Sequence, residues 1–246
     1  MSDQLPGLTF AGLSDVGLHR SANQDSYYLS PAGDLFIVAD GMGGHAGGQE
    51  ASQLATDTIR SHITAHTKSI IPTLELLESS ILAANTAVLA DQRQHPDRAD
   101  MGTTVVVVLL REGQFWVAHV GDSRLYQLRE SSFVQLTQDH TWVAQAQQQG
   151  SLSADQIQQH PWRHVLSRCV GREDLVAVDT QLLKIESGDR LLLCSDGLTE
   201  ELADDAIAAC LQSAATCESA VVSLIAAAKA QGGRDNITAI ALAFAQ

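Results

Sequence analysis

Apolar positions recur along this chain in two different rhythms. Leu35-Phe-Ile-Val-Ala39 is a short continuous apolar run, which predicts a buried strand. From Gly48 to His66 the apolar residues Ala51, Leu54, Ala55, Ile59 and Ile63 fall at helical spacing, and 73–89 behaves the same way, so two consecutive helices are expected. Strands follow in series at 104–110, 114–120, 123–128 and 133–136. The links between them (Arg-Glu-Gly, Gly-Asp, Arg-Glu-Ser-Ser) are too short for helical crossovers, so these strands must be antiparallel neighbours. Thr141 to Gln149 has helical propensity, while 176–185 and 190–194 read as strands. Two helices are expected at about 204–212 and 217–229, and Asn236 to Phe244 closes the chain as a strand. Helices thus come in pairs between groups of strands. That pattern disfavours a doubly wound parallel sheet and favours antiparallel sheets packed together with helices outside.

Composition narrows the function classes. The 246 residues, 45% hydrophobic and 18% charged, suit one continuous globular domain spanning 1–246. A net charge of -14 repels nucleic acid and anionic lipid, so neither is an expected partner. A phosphorylated ligand would need a local positive element, either metal or arginine. Cys169, Cys194, Cys210 and Cys217 form no C-x-x-C pair, and reduced thiols in a cytoplasmic protein are expected. The first ten residues have no basic region followed by an apolar stretch, so no signal peptide is expected. The apolar run Val105 to Leu110 is far short of the roughly 20 residues of a membrane helix.

Three aspartates stand at strand boundaries: Asp40 after F-I-V-A, Asp196 after L-L-L-C-S, and Asp235 before the last strand. Carboxylates at the rim of a packed core need partners. With three lysines in the chain, a bound cation is the natural one. Oxygen ligands without a Cys or His cluster point to a hard ion, Mg²⁺ or Mn²⁺. The bland alternative is that Asp40-Gly41 and Asp196-Gly197 are turn signals. The glycine cluster from Gly41 to Gly48 also satisfies G-x-G-x-x-A, which keeps a dinucleotide site open. Against that site, Asp40 would repel a pyrophosphate and a second helix replaces the next strand. P-loop, cysteine-phosphatase, aspartyl-phosphate and nucleophile-elbow patterns are absent from the sequence. His62 and His66 sit at helical i, i+4 spacing without a zincin glutamate and read as exposed helix residues.

Six short motifs then occur in order: R-S-A-N-Q-D (20–25), V-A-D-G-M-G-G-H-A-G-G (38–48), M-G-T-T (101–104), V-G-D-S-R (120–124), C-S-D-G-L (194–198) and G-G-R-D-N (232–236). The series resembles that of the metal-dependent protein phosphatases, also called type-two-C serine/threonine phosphatases. The D-G-M-G-G-H variant is similar to the bacterial branch, in particular to small stand-alone cyanobacterial members. One such member acts on the phosphorylated P-II nitrogen-signalling protein. The resemblance implies an α+β fold of two packed antiparallel β-sheets flanked by helix pairs on both sides, with a small flap subdomain at about 140–174. It implies hydrolysis of phosphoserine and phosphothreonine in proteins, by direct attack of a metal-bridging hydroxide, in bacterial signalling, and the small size of the chain suggests a monomer.

Carried over position by position, Asp40, Asp196 and Asp235 would hold two Mn²⁺ or Mg²⁺ ions, with the Gly41 carbonyl as a further ligand. Asp122 would join Asp196 at a third ion. Arg20 would bind phosphate, Asp25 would hold metal-bound water, and Asn236 would brace the site. One departure stands out. Many eukaryotic members carry D-G-H-G-G with the histidine as proposed general acid, whereas this chain has Met42 there. His45 or metal-bound water could replace it, and His45 could equally just pack against the next helix. In the flap segment, Trp142, Trp162 and His164 could touch protein substrates, the bland alternative being a small amphipathic helical excursion that covers a sheet edge.

Overall fold

A strand that is apolar at every position needs cover on both faces, and the fold supplies it. A computed structural model describes residues 7–44, 47–151, 156 and 160–245. The strands are β1 (Leu8–Asp15), β2 (Asp25–Leu29), β3 (Leu35–Met42), β4 (Gly102–Thr103), β5 (Val105–Arg111), β6 (Gln114–Val120), β7 (Arg124–Arg129), β8 (Ser132–Gln135), β9 (Asp179–Leu183), β10 (Arg190–Cys194) and β11 (Ile237–Phe244). The helices are α1 (Gly47–His66), α2 (Thr73–Gln94), α3 (Trp142–Gln148), the single turn α4 (Asp196–Thr199), α5 (Asp204–Ser213) and α6 (Cys217–Gln231). One sheet has the order β1-β11-β10-β7-β8 and the other β2-β3-β5-β6-β9, with β4 paired to β3. Every pairing is antiparallel.

Alternation of side chains sorts each apolar strand into two cores. Phe36 and Val38 of β3, Val106 and Val108 of β5, Leu191 and Leu193 of β10, and Ile240 and Leu242 of β11 meet between the sheets. The residues in between point outward. Leu35, Ile37 and Ala39 with Val105, Val107 and Leu109 pack under α1 and α2. Leu192, Cys194, Ala239 and Ala241 pack under α5 and α6. Four layers result, each helix pair covering one sheet, as the residue pattern predicts. Thr216 starts α6 with a capping box to Ser219.

Several boundaries differ from expectation. β1 and β2 carry no clear apolar alternation; they form because β11 and β3 offer free edges to pair with. The strand expected at 176–185 is ordered as a strand only over Asp179–Leu183, where β6 pairs with it. β3 runs past Ala39 through Met42 because β4 pairs with Gly41 and Met42. His62 and His66 are half-buried instead of exposed. Their rings lie 4.6 Å apart and His62 Nε2 is 3.3 Å from Ser79 Oγ of α2. β3 and β5 flank the helix pair as antiparallel neighbours, so the parallel βαβ unit of a dinucleotide site is absent there. All four cysteines are free thiols, and among the described residues no helix is long and apolar enough to cross a membrane.

Phe36 is fully buried between the sheets, edge-on to Phe10 at 5.1 Å. Phe36→Ala is expected to lower unfolding free energy by about 3–5 kcal/mol in urea titrations. A loss below about 1 kcal/mol would show that the inter-sheet layer is not packed this way.

Candidate metal centre

Antiparallel pairing brings five aspartates to one end of the sandwich. Asp25, first residue of β2, lies opposite Asp40 near the end of β3. The start of β5 pairs with the end of β6, so the turn carrying Asp122 reaches the same end. Cys194, last residue of β10, pairs with Ala239 near the start of β11 and with Arg124 at the start of β7. Asp196 therefore emerges beside Asp122, and Asp235 emerges just before β11.

Both Asp-Gly pairs owe their glycine to close packing, not to turn geometry. Neither Gly41 nor Gly197 has positive φ. A Cβ at Gly41 would lie 1.9 Å from the Gly48 carbonyl oxygen, and one at Gly197 would lie 2.1 Å from that of Asn236. The backbone is thus drawn tight around each carboxylate.

The electrostatics of this cluster are unfavourable without a counter-charge. Loss of solvent, then the nearby charges of Asp25 and Asp196, hold the Asp40 carboxyl well above its ordinary range. Asp122 is raised well above its range by loss of solvent and next by Asp196. Asp196 is raised chiefly by loss of solvent. Asp25 is pushed up to about 6 by loss of solvent, despite accepting hydrogen bonds from Ser195 Oγ (2.8 Å) and Thr238 Oγ1 (2.6 Å). Asp25 Oδ1 and Asp196 Oδ1 are buried with no hydrogen-bond partner among the described residues. Arg124 stands near Asp122, but its guanidinium is committed to Asp139 at 2.6 Å.

Arg20 pairs directly with the cluster, its Nη2 lying 2.6 Å from Asp235 Oδ2. Asn236 anchors the loop that carries it. Its Oδ1 accepts from the Gln24 N–H (2.7 Å), its Nδ2 donates to the carbonyls of Val16 (2.9 Å) and Ala22 (3.0 Å), and its own N–H donates to Asp235 Oδ1 (2.7 Å). The Gly41 N–H donates to the Gln24 carbonyl at 3.1 Å, tying the same loop to β3.

His164 also reaches the site. Its Nδ1 pairs with Glu200 Oε1, and ligand atoms of His164, Glu200 and Asp196 lie within 4.8 Å of one another. Burial and then Asp196 push Glu200 up to about 7. Sequence reading passes over Glu200, although its position four residues after Asp196 places it one helical turn on. His45 lies outside the described residues.

These donors fit a divalent cation. Oxygens clustered without a cationic side chain for each, two of them orphaned, suit a hard ion, whose charge would offset both the burial and the repulsion. A model of the family described as "Protein phosphatase 2C" matches residues 19–232. The chain belongs to the protein phosphatase 2C family. Its Asp235 and Asn236 lie just beyond the matched segment. This phosphatase 2C chain is 36% identical over 236 residues to the serine/threonine protein phosphatase PstP of Mycobacterium tuberculosis, covering 95% of this chain and 44% of that protein. It therefore spans less than half the length of that relative. It is 34% identical over 233 residues to the Listeria monocytogenes serine/threonine phosphatase stp, covering 92% of both. The crystal structure of the catalytic domain of PstP with two manganese ions superposes with a TM-score of 0.84 at 32% identity, over 98% of this chain and 99% of that one.

A raised folded-state pKa gives a definite pH sign. The folded chain holds protons that the unfolded chain has released, so this stability is full below the ordinary carboxylate range and is lost as pH rises through the raised values. In EDTA, Asp40→Asn removes one such charge. It is expected to melt at a higher temperature than the parent at about pH 8, with the gap closing toward about pH 4. A parent at least as stable as the variant at the higher pH would contradict this electrostatic reading.

Proposed function

We propose that this chain is a metal-dependent protein serine/threonine phosphatase that hydrolyses phosphomonoesters in signalling. The observation that carries the proposal is the convergence of five aspartates and one phosphate-suited arginine at the open end of the sandwich. Family membership adds to it.

In this reading Asp40, Asp196 and Asp235, with the Gly41 carbonyl, hold two Mn²⁺ or Mg²⁺ ions, and Asp122 with Asp196 holds a third. When bound, the cations supply water activation near neutral pH and charge neutralisation on the phosphate. The chain's own residues do the rest. Asp25 faces the site with its free Oδ1 while Ser195 and Thr238 fix the other oxygen, so it can orient attacking water through a hydrogen bond. Arg20 sits half-exposed at the rim, where its planar fork can engage two phosphate oxygens and align phosphorus for in-line attack. Asn236 keeps the Arg20 loop in place. The departing serine or threonine oxygen needs a proton, which Met42 cannot give. We assign that donation to His45 in the same glycine-rich segment.

The 140–174 segment acts as a flap that meets protein substrates. His164 approaches Asp196 from it, and Trp142, His160 and Trp162 form a partly exposed aromatic cluster, with Trp142 stacked on His160 at 5.0 Å. Substrates are phosphorylated proteins, the phosphorylated P-II protein being the first to try. The enzyme works as a cytoplasmic monomer.

Purified protein should release phosphate from p-nitrophenyl phosphate and from a phosphothreonine peptide with Mn²⁺ and lose this in EDTA. Asp196→Ala should lower turnover by on the order of 10³-fold while circular dichroism stays unchanged. Metal-loaded protein inert toward both substrates, or a fully active Asp196 variant, would remove the proposal.

A further inference from the structure

Three side chains meet behind the turn that carries Asp122. His119 near the end of β6, His140 just before α3, and Asp179 at the start of β9 bring ligand atoms within 4.8 Å of one another. The arrangement does not suit a metal ion. The two imidazoles are stacked at 4.7 Å and 17°, so their nitrogen lone pairs run side by side instead of converging. His119 Nε2 lies 2.9 Å from the Gln138 carbonyl, an acceptor, and so carries a hydrogen. His140 Nδ1 accepts from the Gly121 N–H at 3.1 Å, which puts the His140 proton on Nε2, where it donates to Asp179 Oδ2 at 3.2 Å.

The contacts of His140 with Gly121 are reciprocal. The Gly121 N–H goes to the His140 ring, and the Gly121 carbonyl accepts from the His140 N–H at 3.0 Å. Gly121 has φ +108, and a Cβ there would lie 2.6 Å from the Thr104 side chain, so this residue is pressed flat with no side chain of its own to hold it. On the other flank, Ser123 Oγ bonds Thr104 Oγ1 at 2.6 Å, and Thr104 Oγ1 accepts from the Asp40 N–H at 3.1 Å. Asp122 therefore hangs between two clamps, one made by His140 and one by Thr104. The His140 ring is in turn oriented by Asp179, whose Oδ1 accepts from Arg168 Nη1 at 2.8 Å. The His140 carbonyl accepts from the Ser167 N–H at 2.8 Å, which ties the clamp to the 140–174 segment.

We infer that His140 is a positioning residue for Asp122: by holding both backbone polar groups of Gly121, it aims the Asp122 carboxylate at a divalent cation shared with Asp196. The inference rests on the third-ion part of the reading above. Asp179 and Arg168 fix the ring so that Nδ1 stays turned toward Gly121.

Mn²⁺ titration calorimetry on the intact chain tests this without relying on turnover. The parent should show a tight pair of ions and a weaker class that Asp122→Ala abolishes. His140→Leu should weaken that class about 10–100-fold and leave the tight pair unchanged. His140→Asn should retain it, because the Asn Oδ1 occupies the place of Nδ1 and accepts the same hydrogen bond. A role in packing alone predicts no such rescue. Asp179→Ala, at a half-exposed position, should weaken the class too and gives the same reading if His140→Leu fails to fold. An unchanged weak class in His140→Leu or in Asp179→Ala overturns the inference, as does an Asn variant as impaired as the Leu variant. Absence of any weak class in the parent overturns both this inference and the third ion, while Mn²⁺-dependent hydrolysis would keep the phosphatase reading standing.

Discussion

Carboxylates that cannot move apart govern this molecule. Asp25 and Asp40 are locked opposite each other by the register of two paired strands, and Asp122, Asp196 and Asp235 are delivered to the same rim by the ends of four others. β3, β6, β7, β10 and β11 are each pinned by apolar core on both faces, so electrostatic repulsion at the rim cannot be relieved by their movement without unpacking residues such as Phe36 or Leu193. Protonation or a bound cation can relieve it instead, and the raised carboxyl pKa values express the first route. Folding free energy from burial far from the site is what holds the charges together, and that strained arrangement is what gives a divalent ion its affinity.

The same constraint explains why small residues and amide side chains surround the site. Gly41 and Gly197 let main chain close around the aspartates where any Cβ would collide with a carbonyl oxygen. Asn236 uses both ends of its amide to join the Arg20 loop to the last strand. Arg20 then sits where it neutralises Asp235 and stays open to solvent on its other side. Positioning extends outward in the same manner through Thr104 and His140, whose hydrogen bonds end on backbone groups, the Asp40 N–H for Thr104 and the Gly121 N–H beside Asp122 for His140.

Much of this was legible in the residue pattern, for physical reasons. Strands such as Leu35–Ala39 and Val105–Leu110, buried on both faces, announce themselves by unbroken apolarity, and the short links between strands force antiparallel order. The aspartates stand out because a charge directly after such a run has few explanations. β1 and β2 were not legible, since edge strands with one half-exposed face lack a distinctive period and form only because a partner edge is available. Glu200 was missed because its relation to Asp196 depends on the chain turning helical straight after β10. The His119–His140–Asp179 group was beyond reach as well. Its members are separated by tens of residues and meet only through the pairing of β6 with β9 and the return of 136–141 over the sheet end.

In the proposed function, the aspartate rim holds two cations close enough to share ligands. Electron paramagnetic resonance of the protein with two equivalents of Mn²⁺ tests it most directly. An exchange-coupled dinuclear spectrum is expected, collapsing to a single uncoupled ion in Asp40→Asn. Two equivalents giving only separate six-line signals, or remaining free in solution, would contradict it.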